Sequence, residues 1–337
     1  MAGDGNIAFN NELLDRDAVI QKIERGDYLI IAGDESQLAG LPSGNWIAGT
    51  IPYFMSGEGG VVDQSKLYVN TLEGLGSRLP RITMYDTNSI SRIAQEGIEG
   101  GFTIVILPAS SEVHLKYAQE APDFPNMFFS PIIGWISGVH LDQLESLKPK
   151  VGFGLASGML SDSQAVAMHV PLPEGQEPHV RTVNLFTQGD GPALRFPTRG
   201  FNVNECQIDG QSWKFSDYLK ENKIDTRLPL VANYCGMMVN VSIQEVLDGD
   251  VKLYAPVFPD IEYHFATPVD DYVNGFNEVL SHNTSHAASF SCNCILNFLY
   301  SELEGKKTGQ FTGPMTFGEV AYQLMNQTMV YLTLDNS

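Results

Sequence analysis

The sequence predicts an α/β protein of two domains, each with layered mixed β-sheets flanked by helices. Three observations carry that prediction. From residue 27 onward, short apolar stretches of strand length alternate with segments of helical period. Over 151–196 the alternation stops, and the chain reads as strands alone, separated by turns rich in proline and glycine. At "FPTRGFN", near 196–204, the pattern breaks and a second alternation begins. With 337 residues, 43% hydrophobic and 18% charged, the chain is too long for one small core and apolar enough to fill two. The expected divisions are a helical lead at 1–26, an α/β domain at 27–200 and a second α/β domain at 201–337.

Each element follows from local pattern. "DYLIIAG" is a short apolar strand after an opening helix that Gly26 ends. "GNWIAGTIPYFM" and "QSKLYVNTL" read as strands split by the turn "SGEGG". In "SISRIAQEGI", Ile90, Ile93, Ala94 and Ile98 share one helical face, and the strand "FTIVIL" follows. "SSEVHLKYAQ" starts a helix at a serine and leads to the strand "FFSPIIGW". Leu141, Leu144 and Leu147 space out a short helix. "FNVNECQIDGQSWKFSDYLKEN" is a strand, a tight Asp209-Gly210 turn and a helix. "VKLYAPVF" alternates as a strand. In "TPVDDYVNGFNEVL", Thr267 caps a helix, Pro268 fits its first turn, and Val269, Tyr272, Val273, Phe276, Val279 and Leu280 form its apolar stripe. The strand "AASFSC", the helix "ILNFLYSELE" and two last strands complete the chain.

Composition narrows the function. Forty acidic residues against 20 basic ones leave a net charge of −20, which repels nucleic-acid phosphates and anionic lipid surfaces, so neither is an expected partner. The first residues lack the basic start and apolar core of a signal peptide, and no stretch reaches the roughly twenty apolar residues of a membrane span. Cysteines stand at 206, 235, 292 and 294 without a CxxC pair. A cytoplasmic protein with reduced thiols is the expectation.

Several candidate sites can be weighed against plainer readings. His282 and His286 with Cys292 and Cys294 offer ligand types for a metal, but the helical stripe stops at Leu280 and the two cysteines are spaced too closely for a zinc site, so no metal ligand is assigned. Cys292 as a nucleophile lacks an oxyanion signature nearby. His140, His169 and His264 are lone histidines, any of which could ligate a haem iron and most of which are structural. No GxGxxG follows a strand, so dinucleotide binding has no support.

The last segment, "FTGPMTFGEVAYQLMNQTMVYLTL", places a carboxylate and the polar triplet Asn326-Gln327-Thr328 in an otherwise apolar run. In a structural reading, Gly318 relieves a bend, Glu319 bonds a buried amide, and Asn326 and Thr328 tie off a turn. In a functional reading, Gly318 admits a close ligand, and Glu319 and Asn326 are the few polar groups of an apolar pocket with Met315, Met325 and Cys292.

"SFSC" followed by this segment resembles the C-terminal half of the FIST proteins, a sensory family. Ser291, Cys292, Gly318, Glu319, Asn326, Gln327 and Thr328 match residue by residue, and "QIDGQSWKFSDYLKE" and "WIAGTIPYFM" are similar more loosely. Where that family commonly carries a Gly-Arg pair, this chain has Cys294 and Ile295, removing a guanidinium that would clamp an anion. The resemblance implies a stand-alone sensor that binds a small molecule between its halves and acts through a separate partner, a histidine kinase or a cyclic-dinucleotide enzyme. A subset of the family binds haem and senses nitric oxide, which leaves haem open as a cofactor. Cys292, Gly318, Glu319 and Asn326 would form one wall of the ligand site, with Gly49 and Thr50 opposite and no catalytic residue. The alternatives are an enzyme using Glu319 as general acid or base beside Cys292, and an interaction protein without a ligand.

Overall fold

The computed structural model describes residues 5–155, 159–234, 237–282 and 288–336. The fold is mixed α/β, dominated by strands, with few helices. A first six-stranded sheet contains Tyr28–Gly33 and Trp46–Thr50, which run parallel, flanked by antiparallel neighbours including Lys66–Glu73 and Val151–Phe153. A second is built on the parallel pair Phe102–Pro108 and Ile132–Ser137. Glu319–Ala321 pairs with Ile132–Ser137 on one side, and Ala165–Val170 pairs with Phe102–Pro108 on the other. A third runs from Gln176–Val183 through Met329–Asn336, Phe290–Cys294 and Gly313–Thr316 to Tyr53–Ser56 and Gly59–Val62. The second and third sheets therefore take strands from both sides of residue 200. A fourth, antiparallel sheet and a three-stranded one lie within 194–265.

The strands buried on both faces are the near-continuous apolar runs: Phe102–Pro108 and Ile132–Ser137 are buried at every position. The largest hydrophobic cluster gathers Ile47, Phe54, Ile104, Trp135, Phe290 and Met329 from the first three sheets. Trp135 stacks on Phe290 with ring centroids 6.0 Å apart. Gly134 is required in this arrangement: a Cβ there would lie 1.8 Å from the Val105 carbonyl oxygen. Asp209 and Gly210 both have positive φ, 48° and 79°, the two-residue turn that joins Glu205–Ile208 to Gln211–Lys214.

The structure departs from several expected elements. The lead is not helical throughout, because Ala8–Asp15 forms an edge strand antiparallel to Lys66–Glu73 before the helix Arg16–Glu24 begins. "SISRIAQEGI" makes only a 3₁₀ turn at Ile90–Arg92, although Ile90, Ile93 and Ala94 are buried as their spacing implied. The helix expected from Thr267 begins at Tyr272, where Asp271 Oδ1 accepts from Asn274 N–H (3.0 Å), so neither Thr267 nor Pro268 lies in its first turn. The two last strands are four, Gly313–Thr316, Glu319–Ala321, Gln323–Met325 and Met329–Asn336. No helix among the described residues is long and apolar enough to cross a membrane.

Candidate functional site

The polar residues of the last segment form a buried knot. Glu319 follows Gly318, whose φ of +151° belongs to glycine, and its side chain is wholly inaccessible. Oε2 accepts from the Thr328 hydroxyl (2.7 Å) and more loosely from the Thr328 N–H (3.4 Å). The Thr316 hydroxyl donates to the carbonyls of Asn293 and Gly318. Oε1 has no hydrogen-bond partner among the described residues. Burial pushes the carboxyl well above the ordinary carboxylate range, against smaller pulls from Thr328, the Cys294 thiol and the Thr316 hydroxyl, and so favours its protonated form.

Around it, the triplet ties strands together. Asn326 Oδ1 accepts from the N–H (3.1 Å) and hydroxyl (2.8 Å) of Ser242, Gln327 Nε2 donates to the Arg227 carbonyl (3.1 Å), and Cys294 N–H donates to the Thr328 carbonyl (3.1 Å). Gln327 has φ +48°, so the triplet is a tight left-handed bend held from several sides. Asn240 closes it by donating to the carbonyls of Asn326 (3.2 Å) and Gln327 (3.3 Å).

The remaining expected site residues have structural surroundings. The Cys292 thiol donates to the Gly134 carbonyl (3.2 Å), and burial, with the Glu319 carboxyl as the next influence, raises its pKa well above that of a free thiol. The thiolate that nucleophilic attack requires is therefore disfavoured. Cys292 faces a void of about 10 Å³, which holds at most one water. Gly49 makes room for the second sheet: a Cβ there would sit 2.7 Å from Ile106 and 2.9 Å from Trp135 Nε1. Thr50 is a splice, its Oγ1 accepting from Lys150 N–H (2.8 Å) and its carbonyl from Gly138 N–H (2.7 Å). His169 is fully buried, with Tyr85 on Nε2 (2.9 Å) and Thr103 on Nδ1 (2.8 Å). His286 and the side chain of His282 lie outside the described residues. Among the described residues no three His, Cys, Asp or Glu side chains cluster as a metal would need.

A cavity of about 830 Å³ lies elsewhere, and of the six expected ligand residues only Asn326 lines it. It opens beyond the carboxyl ends of the parallel strands Phe102–Pro108 and Ile132–Ser137, where ligand sites of α/β sheets commonly form. Leu141, Leu144, Leu147, Leu296, Leu299 and Phe317 supply an apolar wall. Ser110, Ser111 and His114 line it from the turn and first helical residues after Pro108. Ser110 has φ +61°, and Ser111 caps the helix Glu112–Glu120 by accepting from His114 N–H (3.2 Å).

His114 is the residue that sequence reasoning passed over. It is 6% exposed, packs edge-on against Phe201, and its Nδ1 accepts from Ser110 N–H (3.1 Å) while Nε2 has no partner among the described residues. Burial pushes its pKa down to about 4, so the ring is neutral. The available signal was a histidine in the first turn of a serine-capped helix, directly after a strand buried throughout.

A family model described as a family of unknown function (DUF6976) matches residues 14–335, and no FIST domain is found in the chain. The FIST resemblance is thereby corrected. It rested on a Gly-Glu step and an Asn-Gln-Thr triplet, which here serve a glycine-only backbone angle and a buried bend, needs that arise in unrelated folds. No curated protein and no solved structure matches the chain.

Proposed function

The chain belongs to this family of unknown function, DUF6976, and we propose that it binds a small, largely apolar molecule in the 830 Å³ cavity. The observation that carries the reading is the cavity itself: its volume falls in the range of about 300–1,000 Å³ typical of small-molecule sites, and a leucine-rich wall faces a few polar groups. Its lining comes from segments as distant as Ser110, Leu144, Tyr254, Leu296 and Asn326, so an occupant would bridge parts of the chain far apart in sequence. The haem, kinase and cyclic-dinucleotide expectations rested on the corrected resemblance and are not carried forward.

Diphenylhexatriene, a hydrocarbon that fluoresces only out of water, tests the reading. A saturable one-to-one signal is expected. Leu144→Trp and Leu299→Trp, at wall positions 52% and 38% exposed and so tolerant of a larger side chain, should weaken it several-fold by filling the space. No saturable signal, or one that neither substitution changes, would remove the cavity from consideration.

A further inference from the structure

Two buried polar side chains line the cavity, each with an unused N–H. The backbone N–H of Ser242 can only donate, so the atom of Asn326 that it meets is the amide oxygen. That leaves Asn326 Nδ2, in a side chain 1% exposed, without a partner among the described residues. By the same reasoning His114 Nδ1, which accepts from Ser110 N–H, bears no proton. The single proton of the neutral ring then sits on Nε2, also unpartnered. A buried polar group left unpaired is costly, so two unused donors in side chains that line one cavity ask for acceptor atoms.

Charge on the same wall decides what kind of acceptor. Asp86, Glu112 and Asp162 line the cavity and oppose an anion. The cations there already have partners, Lys148 with Asp162 (3.6 Å) and Lys252 with Glu245 (2.8 Å). A carboxylate or phosphate would meet two neutral donors and net negative surroundings, and an ammonium head would offer only further donors.

We propose, resting on the cavity reading, that the ligand is an uncharged apolar molecule bearing carbonyl oxygens, a ketone, ester or amide, received by Asn326 Nδ2 and His114 Nε2. The leucine wall takes its hydrocarbon part.

Displacement of diphenylhexatriene by ten-carbon chains differing only in their head tests this directly. At pH 8, 2-decanone and methyl nonanoate should displace the dye at concentrations about tenfold or more below decanoate and decylamine, because a charged head has to be desolvated against donors that do not neutralise it. His114→Asn keeps an oxygen that can take the Ser110 N–H but ends its amide short of the Nε2 position. Asn326→Asp keeps the Ser242 contact while replacing the N–H₂ by an oxygen. Each takes the proposed donor away from its place. In the variant whose donor the ketone oxygen uses, the preference for 2-decanone over the bare hydrocarbon decane should shrink about fivefold, the effect of one neutral hydrogen bond. Equal displacement by all heads, or an undiminished preference in both variants, would overturn the carbonyl assignment while bound dye leaves the cavity reading standing. A protein that binds no dye would lose both.

Discussion

Replacing Glu319 by glutamine should flatten part of the pH dependence of stability, and the structure fixes the sign. The carboxyl is inaccessible to water, takes the Thr328 hydroxyl on Oε2, and leaves Oε1 unpartnered among the described residues. Burial raises its pKa well above the ordinary 4.5. The folded protein therefore keeps a proton that the unfolded chain releases once pH exceeds the ordinary carboxyl value. Stability contributed by this group is complete below that value and is lost as pH rises toward the raised one, at up to about 1.4 kcal/mol per pH unit. For each pH unit between 4.5 and 7.5 over which the folded carboxyl keeps its proton, the loss is about 1.4 kcal/mol, a noticeable share of the 5–15 kcal/mol that holds a typical domain.

Glu319→Gln cannot release a proton, and its side-chain oxygen can still accept from Thr328. Its stability relative to wild type should rise across that pH interval. Urea unfolding of both proteins at four pH values from 4.5 to 7.5 measures the difference, with titrations common to both cancelling. Parallel curves would show that Glu319 titrates alike in folded and unfolded chains. A difference that narrows with rising pH would mean that the folded protein stabilises the carboxylate. Either result refutes the assignment of a neutral buried acid.

Gly318→Ala should destabilise the protein by about 1–3 kcal/mol, because φ +151° is poorly tolerated by alanine and the new Cβ would lie 3.2 Å from Ile136 and 3.3 Å from the Met325 carbonyl oxygen; an unchanged urea midpoint would show that this backbone angle is not enforced. Cys206, Cys292 and Cys294 are each 1% exposed, with Cys206 pushed up to about 12 by burial. At pH 8 the native protein should leave all three unmodified by iodoacetamide while urea exposes them, as peptide mass spectrometry can map, and rapid labelling of native Cys292 would restore it as a nucleophile.

Where burial on both faces of a sheet sets the residue type, the sequence is legible: "LIIAG", "FTIVIL" and "PIIGW" are strands because apolar side chains are wanted at every position. Elements with one polar residue on the apolar side are harder. In Ala8–Asp15 the alternating residues Phe9, Asn11 and Leu13 include an asparagine whose bonds go to Asn70 (2.7 Å) and to the Ser289 carbonyl (3.1 Å), so the strand period is hidden until its neighbours are known. The core face of "SISRIAQEGI" survives as buried Ile90, Ile93 and Ala94 even though the helix does not, since burial and backbone form answer to different interactions.

The same division runs through the site. That Glu319 and Asn326 are buried polar residues follows from the apolar run around them, but their roles depend on partners that local spacing does not identify. Thr328, nine positions on, takes up one oxygen of Glu319 and makes it part of a bend. Ser242, 84 positions back, takes up the oxygen of Asn326 and leaves its N–H₂ without a partner among the described residues. Two side chains that look alike in the sequence are thus separated by which of their atoms the fold satisfies, and an unsatisfied atom on a cavity wall is a stronger pointer to a ligand than a buried acid whose neutral form already fits its surroundings.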